Sequence, residues 1–214
     1  MEKRYNLIRF AEEDKNRIFF TSDTHFGHEN VIRYSHRPFA DISEHNEVLI
    51  DNWNKTVKED DIVFHLGDFA FGGTAFWSSI LERLNGKKYL CLGNHDYKNF
   101  KQPLEKYFEK VSEQFYIAVG DQFIVLNHCP MLCYGGAYRD VWQLYGHVHT
   151  EKHTPIEKQI GKDVPRLSIT FPTQYDVGVD NNDYRPVSFY EVKAIIDKQK
   201  EKANYTLDVN HPKK

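Results

Sequence analysis

The sequence has 214 residues, which suits one domain, and 40% of them are apolar, with 15 Phe and 13 Tyr among these. This composition can build a hydrophobic core, and it excludes a disordered chain. The formal net charge of −3, with basic residues dispersed along the chain, argues against a high-affinity duplex-binding protein but not against a small phosphorylated substrate, because metal ions would supply positive charge locally.

The sequence predicts a protein that is neither secreted nor anchored in a membrane. The N-terminus has no apolar segment followed by a cleavage site, and no run approaches the roughly 18 apolar residues of a membrane helix. We therefore predict a cytoplasmic protein. We expect one domain over residues 1–214, with about the last 15 residues forming a loose tail. Three cysteines, an odd number, predict free thiols rather than a disulfide framework.

In chain order, the first half of the sequence alternates strands and helices. Apolar runs predict strands over residues 18–21, 62–66 and 89–92. Ser43 begins a helical pattern with apolar residues every four positions, and Thr74 is predicted to be the N-cap of a second helix. This order is typical of stacked β-α units.

The second half of the sequence predicts mostly strands. Residues 116–119 and 123–126 flank Gly120-Asp121 and predict a hairpin. Short strands are expected over 141–145, 167–170, 176–179 and 187–190, followed by a helix over 191–202. Two packed sheets with helices outside would accommodate both halves.

Polar clusters follow five of the predicted strands. Loops at the carboxyl ends of strands are where α/β proteins usually build sites. Within these clusters the candidate residues are Asp23, His25, Asp68, Asn94, His95, Asp96, His128, His147 and His149. Glycines precede three of the clusters, at Gly67, Gly93 and Gly146, where the chain must turn sharply or approach an ion closely.

The donor types in these clusters indicate a transition-metal site. A mixed set of imidazole, carboxylate and amide donors suits Mn, Fe, Zn or Co better than calcium, which prefers oxygen alone. Seven ligands are too many for one ion and about right for two ions that share a carboxylate. Two ions roughly 3.5–4 Å apart can clamp a phosphoryl group and activate a water molecule.

This series of motifs resembles the signature of the calcineurin-like metallophosphoesterase superfamily, in particular its small bacterial and phage-type members. The resemblance implies an α/β fold, a four-layer α/β/β/α sandwich of two mixed β-sheets flanked by helices. It implies two divalent metal ions per chain, with Mn expected and Fe or Zn as alternatives. Asp68 would bridge them. One ion would be held by Asp23, His25 and His149, and the other by Asn94, His128 and His147.

The resemblance also implies two catalytic residues that do not bind metal. His95 would contact the scissile phosphate and act as general acid to the leaving oxygen. Asp96 would orient His95 by accepting its other ring N–H. Hydroxide would attack phosphorus in line, so no covalent enzyme intermediate is required.

Further residues are candidates for substrate binding, namely His28, Arg33, Arg37, Tyr138 and Arg139. Arginine is suited to bidentate phosphate contacts, although a solvated surface position is favoured for each arginine taken alone. His28 fits a substrate contact and a polar helix start equally well. We expect His65 to be a hydrogen-bonded histidine near the ligands rather than a ligand, and His36 and His45 to lie on the surface.

We predict a phosphodiesterase acting on a small or nucleotide-like substrate. Protein phosphatases of this superfamily carry a G-D-x-V-D-R-G pattern, and here residues 69–73 lack the Asp-Arg pair. A phosphomonoesterase and a single-strand nuclease are the alternatives, but a nucleic-acid partner is not favoured without a basic track. A non-catalytic scaffold is a third alternative, against which the full ligand set argues. The oligomeric state is left open, and no membrane partner is expected.

Overall fold

The computed structural model describes residues 7–149 and 171–203, and within them the strands form two five-stranded sheets. The first sheet has, in spatial order, β1 (Leu7–Phe10), β6 (Gln114–Val119), β7 (Gln122–Asn127), β8 (Trp142–Tyr145) and β9 (Gln174–Asp176). The second has β10 (Val187–Ser188), β2 (Ile18–Thr21), β3 (Ile62–His65), β4 (Lys87–Cys91) and β5 (Lys110–Ser112).

Both sheets are mixed. In the second sheet β2, β3, β4 and β5 are parallel, and β10 is antiparallel to β2. In the first sheet β7, β8 and β9 are parallel, while β6 and β7 form the predicted antiparallel hairpin. The carboxyl ends of β2, β3 and β4 therefore meet at one edge, and those of β7 and β8 meet at the corresponding edge of the other sheet.

The described α-helices are α1 (Glu29–Tyr34), α2 (Ile42–Thr56), α3 (Thr74–Leu81), α4 (Asp96–Asn99) and α5 (Phe189–Lys202). The carboxylate of Asp41 caps α2 by accepting the backbone N–H groups of Ser43 and Glu44, so this helix begins before Ser43. Ser188 and Glu191 form a capping box at the start of α5. That cap ends β10 after two residues and shortens the strand predicted over 187–190.

The main core lies between the two sheets. Because successive side chains of a strand point to opposite faces, alternate residues of each sheet enter it. Its buried members include Ile18, Phe20, Ile62, Phe64, Phe115, Ile117, Ile124, Leu126, Trp142 and Leu144. A second cluster joins the outer face of the second sheet to α2 and α3, through Phe19, Val63, Leu90, Leu49, Trp53, Trp77 and Ile80. Burial of both faces explains why these strands are continuous apolar runs.

The structure confirms an α/β fold with two mixed sheets flanked by helices. Two short strands, β1 and β5, were not predicted, and the strand expected over 176–179 ends at Asp176, after which residues Val179–Asn181 form a 3-10 helix. The strand predicted over 167–170 and most of the predicted tail lie outside the described residues. None of the described helices has both the length and the apolar composition that crossing a membrane requires.

Candidate metal centre

Two groups of side chains with metal-binding atoms lie at the carboxyl ends of the strands. One consists of Asp23, His25 and His149, and the other of Asp68, His128 and His147. In each group the three ligand atoms all lie within 4.8 Å of one another. The predicted ligands thus come together from loops that follow β2, β3, β7 and β8.

In the first group, three donor atoms face a common point. His25 Nε2 lies 3.2 Å from His149 Nε2, and Asp23 Oδ1 lies 3.9 Å and 3.7 Å from these two nitrogens. Asp23 Oδ2 accepts the backbone N–H of His147 at 2.9 Å, whereas the buried Oδ1 has no hydrogen-bond partner within the described residues. A buried carboxylate oxygen that faces two imidazole nitrogens fits a metal ion, which would satisfy all three.

The ring nitrogens of two histidines are oriented by acceptors behind them. His149 Nδ1 donates to Asp180 Oδ2 at 2.8 Å, and His128 Nδ1 donates to the backbone oxygen of Leu66 at 2.8 Å. In the neutral form of each ring, the proton held on Nδ1 leaves the lone pair on Nε2 free to bind a metal ion. This is the arrangement in which metal-binding histidines are usually held.

Asp68 lies between the two groups. Its Oδ1 accepts the backbone N–H of His95 at 2.9 Å. Its Oδ2 is 3.6 Å from His25 Nε2 in the first group and 3.5 Å from His128 Nε2 in the second. Asn94 Oδ1 lies 3.0 Å from His128 Nε2 and completes the second set of donors.

The backbone at the site is strained. Asp23, His25, Asp68, His147 and His149 all have positive φ, between 47° and 71°. Non-glycine residues rarely adopt this left-handed conformation, and such residues cluster at functional sites. Packing is also tight, since a Cβ atom on Gly93 would overlap Asp68 Oδ1 and one on Gly146 would overlap Asp23 Oδ2. Both glycines therefore let the backbone approach the carboxylate of a candidate ligand, whereas the sequence predicted a sharp turn or a close approach to an ion.

The two groups differ in their electrostatics. Burial, with a smaller contribution from nearby His149, lowers the pKa of His25 well below its usual value. Burial also opposes a charge on His128, but the hydrogen bond to Asp68 and the negative charges of Asp23 and Asp68 outweigh it and raise the pKa of His128 to about 9. The buried carboxylates thus create a negative potential that attracts positive charge, which metal ions would supply.

His95 stands at the open side of the site. Its side chain is 43% exposed, and its Nε2 lies 3.9 Å from Asp68 Oδ2. The ring of His28 is also near, with its centroid 6.1 Å from that of His95 and 5.3 Å from that of His25. His28 stacks on Phe71 at 3.9 Å. The structure therefore brings His28 to the predicted site.

The role predicted for Asp96 requires a correction. Its Oδ2 accepts the backbone N–H groups of Asp68 at 2.8 Å and Gly93 at 2.9 Å, and its Oδ1 accepts that of Phe69 at 3.0 Å. These bonds satisfy three backbone donors and join the loops after β3 and β4. The carboxylate thus holds the backbone around the ligands, and these contacts replace the predicted one to the ring of His95.

The expected surface positions of Arg37 and His45 are wrong. Both side chains are buried, and Arg37 forms a two-bond ion pair with Asp180. A buried and fully paired guanidinium is unavailable to substrate, so the structure argues against the substrate contact considered for Arg37. His65 agrees with expectation, because it is buried and hydrogen-bonded to Thr24 and to the backbone of Gly67.

The other substrate candidates lie on the surface. Arg33 is exposed and its guanidinium lies over the ring of Tyr34, 5.1 Å from its centroid. Tyr138 and Arg139 are exposed residues of the 3-10 helix Ala137–Arg139. Tyr138 meets Phe171 edge-on at 5.2 Å. The described contacts of these residues do not include the two ligand groups.

Asp180 is a site residue that the sequence interpretation missed. It accepts a hydrogen bond from His149, although it belongs to the 3-10 helix Val179–Asn181 far along the chain. A strand was predicted over 176–179, so Asp180 follows a predicted strand directly. The strand-end reasoning that found the other residues would have found this one too.

Comparison with known proteins agrees with this geometry. The family profile of the calcineurin-like phosphoesterases matches residues 16–164. The chain belongs to this family. The phosphoesterase is 32% identical over 187 residues to an uncharacterised protein of Methanocaldococcus jannaschii, with 86% of this chain and 93% of that protein covered. It is 28% identical over 190 residues to the Gene 66 protein of Mycobacterium phage D29, of which it covers 87%.

A solved structure shares the fold of this phosphoesterase. It is described as a protein of unknown function from Aquifex aeolicus, is 27% identical, and superposes with a TM-score of 0.63. The match covers 83% of this chain and 98% of the other. The protein is thus a metal-dependent phosphoester hydrolase by family, and its two groups of candidate ligands fit the two-metal chemistry of that family.

Proposed function

We propose that this phosphoesterase hydrolyses a phosphodiester bond in a small or nucleotide-like substrate, using two divalent metal ions. The observation that carries the proposal is the position of Asp68 Oδ2, 3.6 Å from His25 Nε2 and 3.5 Å from His128 Nε2. A carboxylate oxygen between two sets of imidazole nitrogens suits a ligand shared by two ions.

Seven residues would hold the ions. Asp23, His25 and His149 would bind one, Asn94, His128 and His147 the other, and Asp68 both. When bound, the ions would polarise the phosphoryl oxygens and lower the pKa of water. The donor set accepts Mn, Fe or Zn, and we expect Mn²⁺.

His95 would act as the general acid. Its exposed imidazole can reach a leaving oxygen, and its backbone N–H is fixed by the bond to Asp68 Oδ1 at 2.9 Å. His28 would contact the substrate beside it, because its ring lies next to both His95 and His25. Phe71, stacked on His28, gives this wall of the site an apolar, aromatic character that suits a nucleobase or an aryl group.

Two features support a diester substrate. The loop after Asp68 lacks the Asp-Arg pair of the protein phosphatases, and its first residues, Phe69 and Ala70, are buried. Arg37 is engaged with Asp180 and with backbone oxygens. A monoester dianion carries one more negative charge than a diester. Arg37 cannot compensate that negative charge, because its N–H groups already have acceptors within the protein.

The test combines metal content with turnover. Metal-free protein is dialysed against Mn²⁺, its metal content is measured, and hydrolysis of bis-p-nitrophenyl phosphate is compared with that of p-nitrophenyl phosphate. We expect two ions per chain and preferential diester turnover that falls by a factor of about 10² or more in His95→Ala. The matched control is Lys98→Ala, because Lys98 is an exposed residue of α4, the helix that begins directly after His95.

The possible results separate the alternatives. A preference for the monoester would keep the metal centre and overturn the diester assignment. Cleavage of a labelled single-stranded oligonucleotide that depends on His95 would move the substrate to nucleic acid. Failure to bind Mn²⁺, Zn²⁺ or Fe²⁺ would overturn the proposed function. The cytoplasmic location and the single-domain organisation stay predictions.

A further inference from the structure

Arg37 is the centre of a buried hydrogen-bond network beside the first ligand group. Its guanidinium pairs with Asp180 through Nε to Oδ1 at 2.7 Å and a terminal nitrogen to Oδ2 at 2.8 Å. Its other N–H groups donate to the backbone oxygens of Asp23 at 2.7 Å and Thr24 at 3.1 Å, and to His45 Nε2 at 2.7 Å. All five N–H groups of the guanidinium therefore have acceptors within the protein.

The network continues through His45 to the loop that follows His25. Because His45 Nε2 accepts from Arg37, its Nδ1 carries the proton and donates to Asn46 Oδ1 at 3.1 Å. The same amide oxygen accepts the backbone N–H of Gly27 at 3.1 Å. The residues on both sides of His25 are thus held by one chain of bonds.

The backbone that Arg37 holds is the strained part of the ligand loop. Asp23 and His25 have φ values of 58° and 49°. Conformations of this kind persist only where surrounding contacts fix them. Arg37 provides such contacts, because it binds the carbonyl oxygens of Asp23 and of Thr24, which lies between the two ligands.

Asp180 connects this network to the third ligand of the group. Its Oδ2 accepts both from Arg37 at 2.8 Å and from His149 Nδ1 at 2.8 Å. The bond to His149 keeps the proton on Nδ1 and directs Nε2 toward Asp23 and His25. Asp180 also lies beyond residues 16–164, the part of the chain that the family profile matches.

We infer that Arg37 and Asp180 are positioning residues that assemble the ligand group of Asp23, His25 and His149 and do not act on the other group. This inference rests on the proposed two-metal function. Arg37 sets the backbone of the loop that carries two of the ligands, and Asp180 sets the ring of the third. Neither residue would contact substrate.

The second ligand group has its own supports. His128 is oriented by the backbone oxygen of Leu66, and Asp68 by the backbone N–H of His95. Asp96 holds the backbone N–H groups of Asp68 and Gly93. None of these bonds involves Arg37 or Asp180. The backbone N–H of His147 does donate to the first group, but it binds the side chain of Asp23 and not the carbonyl oxygen that Arg37 holds. Loss of Arg37 or Asp180 should therefore leave the second group intact.

The experiment measures how many Mn²⁺ ions each variant binds and how tightly. Metal-free wild type and Asp180→Asn are titrated with Mn²⁺ in a calorimeter, and bound metal is counted after dialysis at limiting Mn²⁺. For Asp180→Asn we expect one ion with unchanged affinity and the other weakened about 10- to 100-fold, the range found for partners of metal ligands. Asp180→Glu, which keeps the carboxylate, should recover part of the loss.

Two further variants keep the test decisive. Asp197→Asn, on the exposed face of α5 within an ion pair to Lys193, is the control and should bind Mn²⁺ as wild type does.

Asp180→Asn leaves the charge of Arg37 buried without its partner and thus endangers folding. The double variant Arg37→Met with Asp180→Leu removes both charges at once, which buried ion pairs often tolerate. It should show the same selective loss of one ion.

Several results would overturn the inference. One is a folded double variant that binds two Mn²⁺ ions with wild-type affinity. Another is a loss of affinity that is equal for both ions, in Asp180→Asn and in the double variant alike. These outcomes differ from failure of the proposed function, in which wild type itself binds fewer than two ions.

Discussion

The carboxylate of Asp96 accepts the backbone N–H of Asp68 at 2.8 Å, and this bond joins the loop after β3 to the first residue of α4. The same carboxylate accepts the N–H groups of Gly93 and Phe69. Asp96 is buried, so water cannot replace these bonds if the acceptor is lost. The position of Asp68, the proposed bridging ligand, therefore depends on Asp96.

Replacing Asp96 by Asn should destabilise the fold. An amide has one acceptor oxygen, so at least one of the three backbone N–H groups would face an NH₂ group, at a cost of about 1–3 kcal/mol. Urea denaturation of the metal-free proteins measures the change, with the exposed Asp60→Asn as control. Unchanged stability combined with a lower kcat would instead support the contact to His95 that the sequence predicted.

His65 is a neutral histidine fixed by its hydrogen bonds. Its Nδ1 accepts the N–H of Gly67 at 3.2 Å. The hydroxyl of Thr24 donates its proton to the oxygen of Phe69 at 2.8 Å, so at 2.9 Å from His65 Nε2 it must accept. The ring therefore carries its proton on Nε2. Burial lowers the pKa of His65 to about 3.

This depressed pKa predicts a loss of stability in acid. Below a pH of about 6.5 the unfolded chain protonates His65, while the folded protein does not until about pH 3, so stability falls as the pH is lowered through this window. The extra proton adds a slope of about 1.4 kcal/mol per pH unit to the free energy of unfolding.

The His65→Gln variant should lack this part of the slope. Urea denaturation of metal-free protein between about pH 6.5 and about pH 4.5 compares it with wild type. His36→Asn is the control, because His36 is exposed and asparagine tolerates its positive φ. Equal slopes in wild type and His65→Gln would contradict the assignment of a neutral ring.

Gly93→Ala should disrupt the metal centre. The new Cβ atom would overlap the side chain and the backbone nitrogen of Asp68, which must then move. We expect weaker binding of both ions, because Asp68 would bridge them, and a fall in diester turnover of at least about tenfold. Gly73→Ala is the matched control, since a Cβ there meets nothing within 4 Å. Normal metal content and turnover in Gly93→Ala would contradict the proposed bridge.

His28→Ala should weaken substrate binding without loss of metal. If His28 contacts the substrate in both the ground state and the transition state, KM rises while kcat changes little. We expect kcat/KM for the diester to fall about tenfold, which corresponds to about 1.4 kcal/mol. Arg139→Ala, exposed on the 3-10 helix Ala137–Arg139, should have no such effect. An effect in Arg139→Ala and none in His28→Ala would reverse the two assignments.

The sequence predicted the strand ends well because local patterns determine them. Apolar runs define β2, β3 and β4, and the polar residues Asp23, Asp68 and Asn94 lie within three positions after them. The prediction failed where a side chain binds backbone groups that are distant in the sequence. The family resemblance implied a contact between Asp96 and the ring of His95, yet the carboxylate of Asp96 accepts the backbone N–H groups of Asp68 and Phe69.

The sequence by itself determined the family, the α/β class and which side chains can bind metal, because these depend on residue type and on spacing along short segments. Only the tertiary structure decided which polar residues support the ligands. Arg37 and Asp180 are separated by 143 positions, and each taken alone looks like a surface charge. A buried charge is strongly destabilising unless an opposite charge lies beside it, so Arg37 and Asp180 can be buried only as a pair. The local sequence around either residue does not show which partner the fold brings to it.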